Sequence, residues 1–173
     1  MTRDEKTELF NTILSEHSNL VYKVCRGYAT DDDHLKDLYQ EVLANVWEGL
    51  KSFGNRCRLS TWLYRVAINT CITDFRHTGR HTDGRVSIDD IKLELPDIPD
   101  DRLRKIKLMY SLISSLDRAD RALVMMWLDG QSYDEISAVT GISRNNVASR
   151  LHRLRIRLAS ANPENPNSHP SKR

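Results

Sequence analysis

The sequence predicts an all-α protein of two small helical domains joined by a flexible acidic linker, the C-terminal one containing a helix-turn-helix. Apolar residues recur at steps of three and four over two separate stretches, the period of an amphipathic helix and not of a strand. Seven Gly and five Pro in 173 residues are too few for a loop-rich or all-β chain. Between the stretches, Gly79, Gly84, Pro96 and Pro99 stand among Asp83, Asp89, Asp90, Glu94, Asp97, Asp100 and Asp101, the composition of a tether. The expected division is therefore 1–80 and 103–160 for the domains, 81–102 for the linker, and 161–173 for a disordered Pro/Asn/Ser-rich tail.

Leu9, Ile13, Leu20 and Val24 begin the helical period. A stronger helix runs from Asp33 to Leu50, with Leu35, Leu38, Tyr39, Val42, Val46, Trp47 and Leu50 on one side. Phe53-Gly54-Asn55 stops it. After a short basic loop, Ser60 or Thr61 is expected to N-cap a helix from Trp62 to about Arg76 that turns Leu63, Val66, Ala67 and Thr70 inward. Beyond the linker, Leu103, Ile106, Met109, Tyr110 and Ile113 restore the period, which continues through Ala122 to Leu128 and ends at Asp129-Gly130.

Ser132-Tyr-Asp-Glu135 reads as a capping box. Gly141 supplies the left-handed conformation of a tight turn, and Ser143 can N-cap the next helix. A short helix, a tight turn and a longer helix, locked by Ile136, Val139, Ile142, Val147 and Leu151 with small Ser137 at the crossing, make a helix-turn-helix from about Ser132 to Leu158. On the second helix Val147, Leu151, Leu154 and Leu158 form the core stripe. Opposite lie Asn146, Ser149, Arg150, Arg153 and Arg157, flanked by Arg144 and Arg155, with no acid between Ser143 and Leu158. Such a face suits a phosphate-lined groove, where arginines take guanine or phosphate and Asn or Ser add polar base contacts. A solvated basic helix is the bland alternative. Ile156, apolar on the polar side, fits a thymine methyl or a partner.

Charge and cysteine usage narrow the class. A net charge of +2 with pI near 8.5 says little about partners until charge is mapped along the chain. Cys25, Cys57 and Cys71 are odd in number and include no C-x-x-C pair, so they read as reduced structural thiols, neither a disulfide framework nor a zinc site. The start MTRDEKTELF has no apolar signal core, and no run approaches the roughly 18 apolar residues of a membrane span. A cytoplasmic protein without direct membrane insertion is expected. Enzyme chemistry finds poor material: Asp37 with Glu41 is a bare carboxylate pair, and His77-x-x-x-His81 lacks a third ligand. No Gly-rich phosphate loop or triad pattern occurs. The expectation is a non-enzymatic protein with no metal, cofactor or small-molecule substrate.

On the helix from Asp33, the residues Asp37, Gln40, Glu41, Ala44 and Glu48 form one polar stripe. By spacing alone this is an ordinary solvated face. The blocks LKDLYQEVLANVWEGLKSF, GNRCRLS and STWLYRVAINTCITDFRH, however, closely resemble region 2 of bacterial extracytoplasmic-function (ECF) sigma factors. SLDRADRALVMMWLDGQSYDEISAVTGISRNNVASRLHRLRIRL resembles their region 4. The likeness spans most of residues 18 to 158, in the right order, and includes Asp37-x-x-Gln40-Glu41, Trp62-Leu63, Asn69, Asp74 and Arg76.

The resemblance implies a protein that binds core RNA polymerase, directs it to promoter DNA and helps open the duplex. It places Asp37, Gln40, Glu41, Ala44 and Glu48 against the clamp helices of the polymerase's largest subunit. It places Asn55, Arg56, Arg58, Ser60, Trp62, Arg65 and Asn69 on unstacked bases of the minus-ten element, where pocket contacts and backbone neutralisation offset the few kcal/mol of unstacking. Arg144, Asn146, Ser149, Arg150, His152, Arg153 and Arg157 would read the minus-thirty-five element. Ala148 stands where many members carry a basic residue, and Asp117 replaces a common Pro while remaining a good cap. The acidic linker resembles the family's tether, serving either nucleic-acid mimicry or ordinary solubility. An anti-sigma factor is the implied restraining partner. The nearest rival reading is a one-component helix-turn-helix regulator that binds duplex operators unaided.

Overall fold

The computed structural model describes residues 2–77 and 99–164. Among them are eight α-helices and no strand, in two compact units divided between Thr82 and Asp83. The stretch 78–98 and the tail beyond Glu164 lie outside the described residues.

The first unit contains α1 (Arg3–Glu16), α2 (Ser18–Tyr28), α3 (Asp32–Gly49), a 3₁₀ turn at Leu50–Ser52, and α4 (Leu59–His77). Polar side chains fix two of the helix starts. The Thr2 hydroxyl accepts the Glu5 amide at 3.2 Å while the Glu5 carboxylate accepts the Thr2 amide at 2.7 Å, and Asp31 accepts the His34 amide at 2.8 Å. The core is the meeting of three inner faces: Val21, Val24, Cys25 and Tyr28 from α2, Leu35, Leu38, Val42 and Val46 from α3, and Leu63, Tyr64, Ala67, Ile68 and Cys71 from α4. Helix α1 closes one side with Ile13. Its Lys6 buries an aliphatic stem and sets Nζ 4.0 Å from the centre of the Trp47 ring, while Phe10 meets the same ring edge-on at 5.2 Å.

Two polar ties cross this core. Asn45 donates to the Thr70 hydroxyl at 3.0 Å, joining α3 to α4. His34 receives the Thr30 amide on Nδ1 at 3.2 Å, which leaves Nε2 to carry the ring proton and donate to Asp74 at 3.0 Å.

The start of α4 differs from expectation. The Trp62 amide donates to the Arg58 carbonyl at 3.1 Å, so the helix begins at Leu59 and neither Ser60 nor Thr61 caps it. The register that buries Leu63, Tyr64 and Ala67 carries Thr61 inside with them. The inward face also includes Tyr64, Ile68 and Cys71, whereas Val66 is half-buried.

The second unit contains α5 (Asp100–Ser114), α6 (Arg118–Leu128), α7 (Tyr133–Thr140) and α8 (Arg144–Ala161). Asp100 and Asp101, read as linker, form the first turn of α5. Acids there face the positive end of the helix dipole, and Asp101 adds an ion pair to Lys105 at 2.9 Å. That pairing holds the Asp101 carboxyl below its usual range and raises Lys105. Asp117 caps α6, accepting the Asp120 amide at 2.9 Å. Between α5 and α6, buried Arg121 donates to the carbonyl of Ser114, left open by the end of α5, and to that of Leu116 in the connecting turn. Gly130, at φ +78°, lets the Gln131 amide reach back to the Met126 carbonyl at 3.0 Å and stops α6.

Candidate nucleic-acid interface

The helix-turn-helix is assembled from local chemistry. Glu135 donates its amide to Ser132 Oγ at 3.2 Å, and its carboxylate accepts the Ser132 amide at 2.9 Å. Gly141 sits at φ +73°, where a side chain would be strained. Ser143 then accepts the Asn146 amide at 3.4 Å to begin α8. Ile136, Val147 and Leu151 are fully buried, Leu154 nearly so, and Val139, Ile142 and Leu158 are half-buried. Their burial aims the opposite side of α8 outward.

On that side Arg144, Asn146, Ser149, His152, Arg153 and Arg157 are exposed. The structure separates its cations by what already holds them. Arg144 Nε lies 3.2 Å from Asp134 Oδ1, with its guanidinium 6.0 Å from the centre of the Tyr133 ring. Arg157 Nη2 reaches the Ser115 carbonyl at 3.5 Å, and Arg155 lies 5.0 Å over the Trp127 ring. Arg150 departs from the expected outward face: its guanidinium turns to α6 and donates to Asp120 Oδ1 at 2.5 Å. His152 and Arg153 make no ion pair or hydrogen bond among the described residues. Ser149 donates to the Asn145 carbonyl at 2.9 Å, leaving its hydroxyl oxygen free to accept. Ile156 is 57% exposed in the midst of this basic surface.

In the first unit Asp37, Gln40, Glu41, Ala44 and Glu48 are all exposed along one side of α3, with Leu38, Val42 and Val46 buried behind them. At 1.5 Å rise per residue the stripe is about 16 Å long. None of its four polar members forms an ion pair or hydrogen bond among the described residues.

Trp62, Arg65 and Asn69 fall at i, i+3 and i+7 of α4 and share one face, which continues into the loop through Asn55, Arg56 and Arg58. Arg56, Arg58, Arg65, Asn55 and Asn69 are exposed; Ser60 and Trp62 are half-buried. The loop turns at Asn55, whose φ of +52° is left-handed, a conformation Asn tolerates better than most residues. Trp62 is held in place. Its ring centroid lies 5.0 Å from that of Phe53, and a Cβ on Gly49 would stand 2.9 Å from its Cζ2, so the missing side chain at Gly49 is what admits the indole against α3.

Three residues that matter here escape sequence reasoning: Phe53 and Gly49, which seat Trp62, and Asp120, which holds Arg150. Phe53 and Gly49 look like a helix end, and nothing local connects Asp120 to a residue thirty positions later.

Cys25 and Cys71 are buried and face each other between α2 and α4. The hydrogen bond that the Cys71 thiol donates to Cys25, together with burial, pushes that thiol well above its ordinary value and keeps it protonated. Among the described residues no three His, Cys, Asp or Glu side chains stand together as a metal site, and His81 lies outside those residues. No described helix is long and apolar enough to cross a membrane.

Two family models match the chain, Sigma-70 region 2 over residues 13–81 and Sigma-70, region 4 over residues 106–158. The RNA polymerase sigma factor YlaC of Bacillus subtilis is 27% identical over 161 residues, covering 90% of this chain and 91% of its own. The ECF RNA polymerase sigma-E factor of Escherichia coli K12 is 29% identical over 161 residues, covering 84% of this chain and 82% of its own. Among solved structures, the sigma factor RpoE of Bartonella quintana, crystallised with the anti-sigma factor NepR, shares the fold at a TM-score of 0.64 and 22% identity, covering 91% of this chain and 95% of that one.

Proposed function

Because the chain belongs to the bacterial extracytoplasmic-function sigma factor family, we propose that it binds core RNA polymerase in the cytoplasm and directs it to promoters, reading and opening them with its two units. The observation that carries this reading is the distribution of exposed side chains: an acidic stripe on α3, and two separate faces, on α4 and α8, that offer cations beside an aromatic or polar reader.

Each face has a task its chemistry fits. The carboxylates of Asp37, Glu41 and Glu48, with Gln40 beside them and no side-chain bulk at Ala44, meet a basic, close-packed surface on the polymerase. Trp62 offers a π-face on which an unstacked base of the minus-ten element settles, while Arg56, Arg58 and Arg65 neutralise the strand's backbone and Asn69 adds a polar contact. On α8, Asn146, Ser149, His152 and Arg153 reach base edges of the minus-thirty-five element in the major groove, with Arg144 and Arg157 near phosphates. An anti-sigma factor that covers these faces is the proposed means of restraint, in line with the complex in which the Bartonella relative was crystallised.

The test combines the purified chain, core polymerase and a promoter library in a transcription assay. Enrichment of one promoter class only when chain and core are both present supports the reading. Tight, sequence-specific operator binding by the chain alone, with no effect on core, would replace it with that of a one-component regulator.

A further inference from the structure

Arg150 lies where the reader helix meets α6. Its Nη2 is 2.5 Å from Asp120 Oδ1, with side chains 32% and 12% exposed respectively. Asp120 is itself fixed, since its amide is held by the capping Asp117 at the start of α6. One turn further along α8, Arg153 is exposed and has no such partner among the described residues. Two arginines of the same helix, three residues apart, therefore present different charges to a groove: one cancelled by a carboxylate, one open.

We infer that Asp120 is a positioning and specificity-determining residue of the minus-thirty-five reader, one that withdraws the charge of Arg150 from phosphate and leaves discrimination to Arg153, His152, Ser149 and Asn146. The inference rests on the sigma-factor reading above. Phosphates line every sequence, so an open arginine at the edge of the groove can seat α8 through the backbone alone, in registers where the base readers make no contact. Cancelling that cation weakens those backbone-seated registers more than the register in which base edges supply the contacts, and so raises the ratio of specific to non-specific binding, the quantity that matters in a genome full of competing sites. The same bond ties the N-terminal half of α8 to α6, so the readers project from a fixed base. A pair this shielded also survives physiological salt better than an exposed one.

Asp120→Asn removes the charge and keeps the shape. In holoenzyme assembled from the full chain and core polymerase, offered a promoter library randomised upstream, enrichment of the preferred sequence over unrelated upstream sequence should fall about tenfold in this variant. Binding of the full chain to a random-sequence duplex should gain about 0.9 in the slope of log affinity against log salt, one more phosphate neutralised. The double variant Asp120→Asn/Arg150→Gln, whose neutral amides can still hydrogen-bond, should return that slope to the wild-type value. An unchanged slope and unchanged enrichment in Asp120→Asn would overturn the inference, as would a shallower slope on Arg150→Gln alone, which would mean that Arg150 already holds a phosphate. Wild-type holoenzyme that enriches no upstream sequence at all would instead overturn the sigma-factor reading, and with it this role.

Discussion

The exposed faces of α3 and α8 are both polar and both solvent-facing, yet their side chains are kept in different states. On α3 the charged and polar groups of Asp37, Gln40, Glu41 and Glu48 form no ion pair or hydrogen bond among the described residues. On α8, Arg144, Arg150, Arg155 and Arg157 each already rest on a carboxylate, a carbonyl or a ring. An open carboxylate row suits a partner that brings its own complementary cations and excludes water when it docks. On the proposed reading, an arginine tethered within its own domain would lose less side-chain entropy on meeting a phosphate, so α8 would gain precision while giving up some raw attraction. Trp62 shares the second pattern, its indole already seated on Phe53 and against Gly49.

That contrast can be broken face by face. Trp62→Ala should produce the largest effect, because base stacking on an aromatic ring is worth about 1–3 kcal/mol. Open-complex formation, monitored by a fluorescent base analogue at the minus-ten position, should fall about 10- to 100-fold, with core affinity unchanged. Replacing Asp37 and Gln40 together by Ala should weaken core binding about tenfold in a fluorescence titration. If core affinity is untouched, the α3 face has been assigned to the wrong partner. Arg153→Ala should reduce discrimination at one upstream position by about 1–3 kcal/mol; an equal loss across all sequences would reassign it to phosphate.

Two smaller effects test the scaffold under these faces. Ser132→Ala removes the hydroxyl of a capping box and should cost the second unit about 1 kcal/mol in thermal or denaturant melting. The hydrogen bond donated by Cys71 to Cys25, together with burial, raises the Cys71 thiol well above its ordinary value near 9. The unfolded chain therefore gives up that proton first as pH rises, and the stability contributed by Cys71 is complete below pH 9 and declines above it. The alkaline fall in melting temperature should be shallower in Cys71→Ala, and half-buried Cys57 should be alkylated before Cys25 or Cys71 in the folded protein.

Much of the fold was legible because its determinants are local. The Ser132–Glu135 box, the left-handed Gly141, and the caps at Asp117 and Ser143 are each encoded within four residues, and each is present. Local signals also misled. Ser60 and Thr61 look like caps, but the burial of Leu63, Tyr64 and Ala67 draws the start of α4 back to Leu59. Asp100 and Asp101 look like tether, yet acids suit the first turn of a helix. At the candidate site, helical period was enough to put the five α3 residues on one exposed side. It could not separate Arg150 from Arg153, because the difference is a carboxylate thirty residues away on another helix.

The most direct test of the account is core-dependent promoter selection. With the chain, core polymerase and a promoter library, the chain and core together should enrich a sequence class that neither enriches alone, and Trp62→Ala should lower opening about 10- to 100-fold without weakening assembly. Selection that proceeds equally well without core, or transcription from the same promoters by core alone, would contradict it.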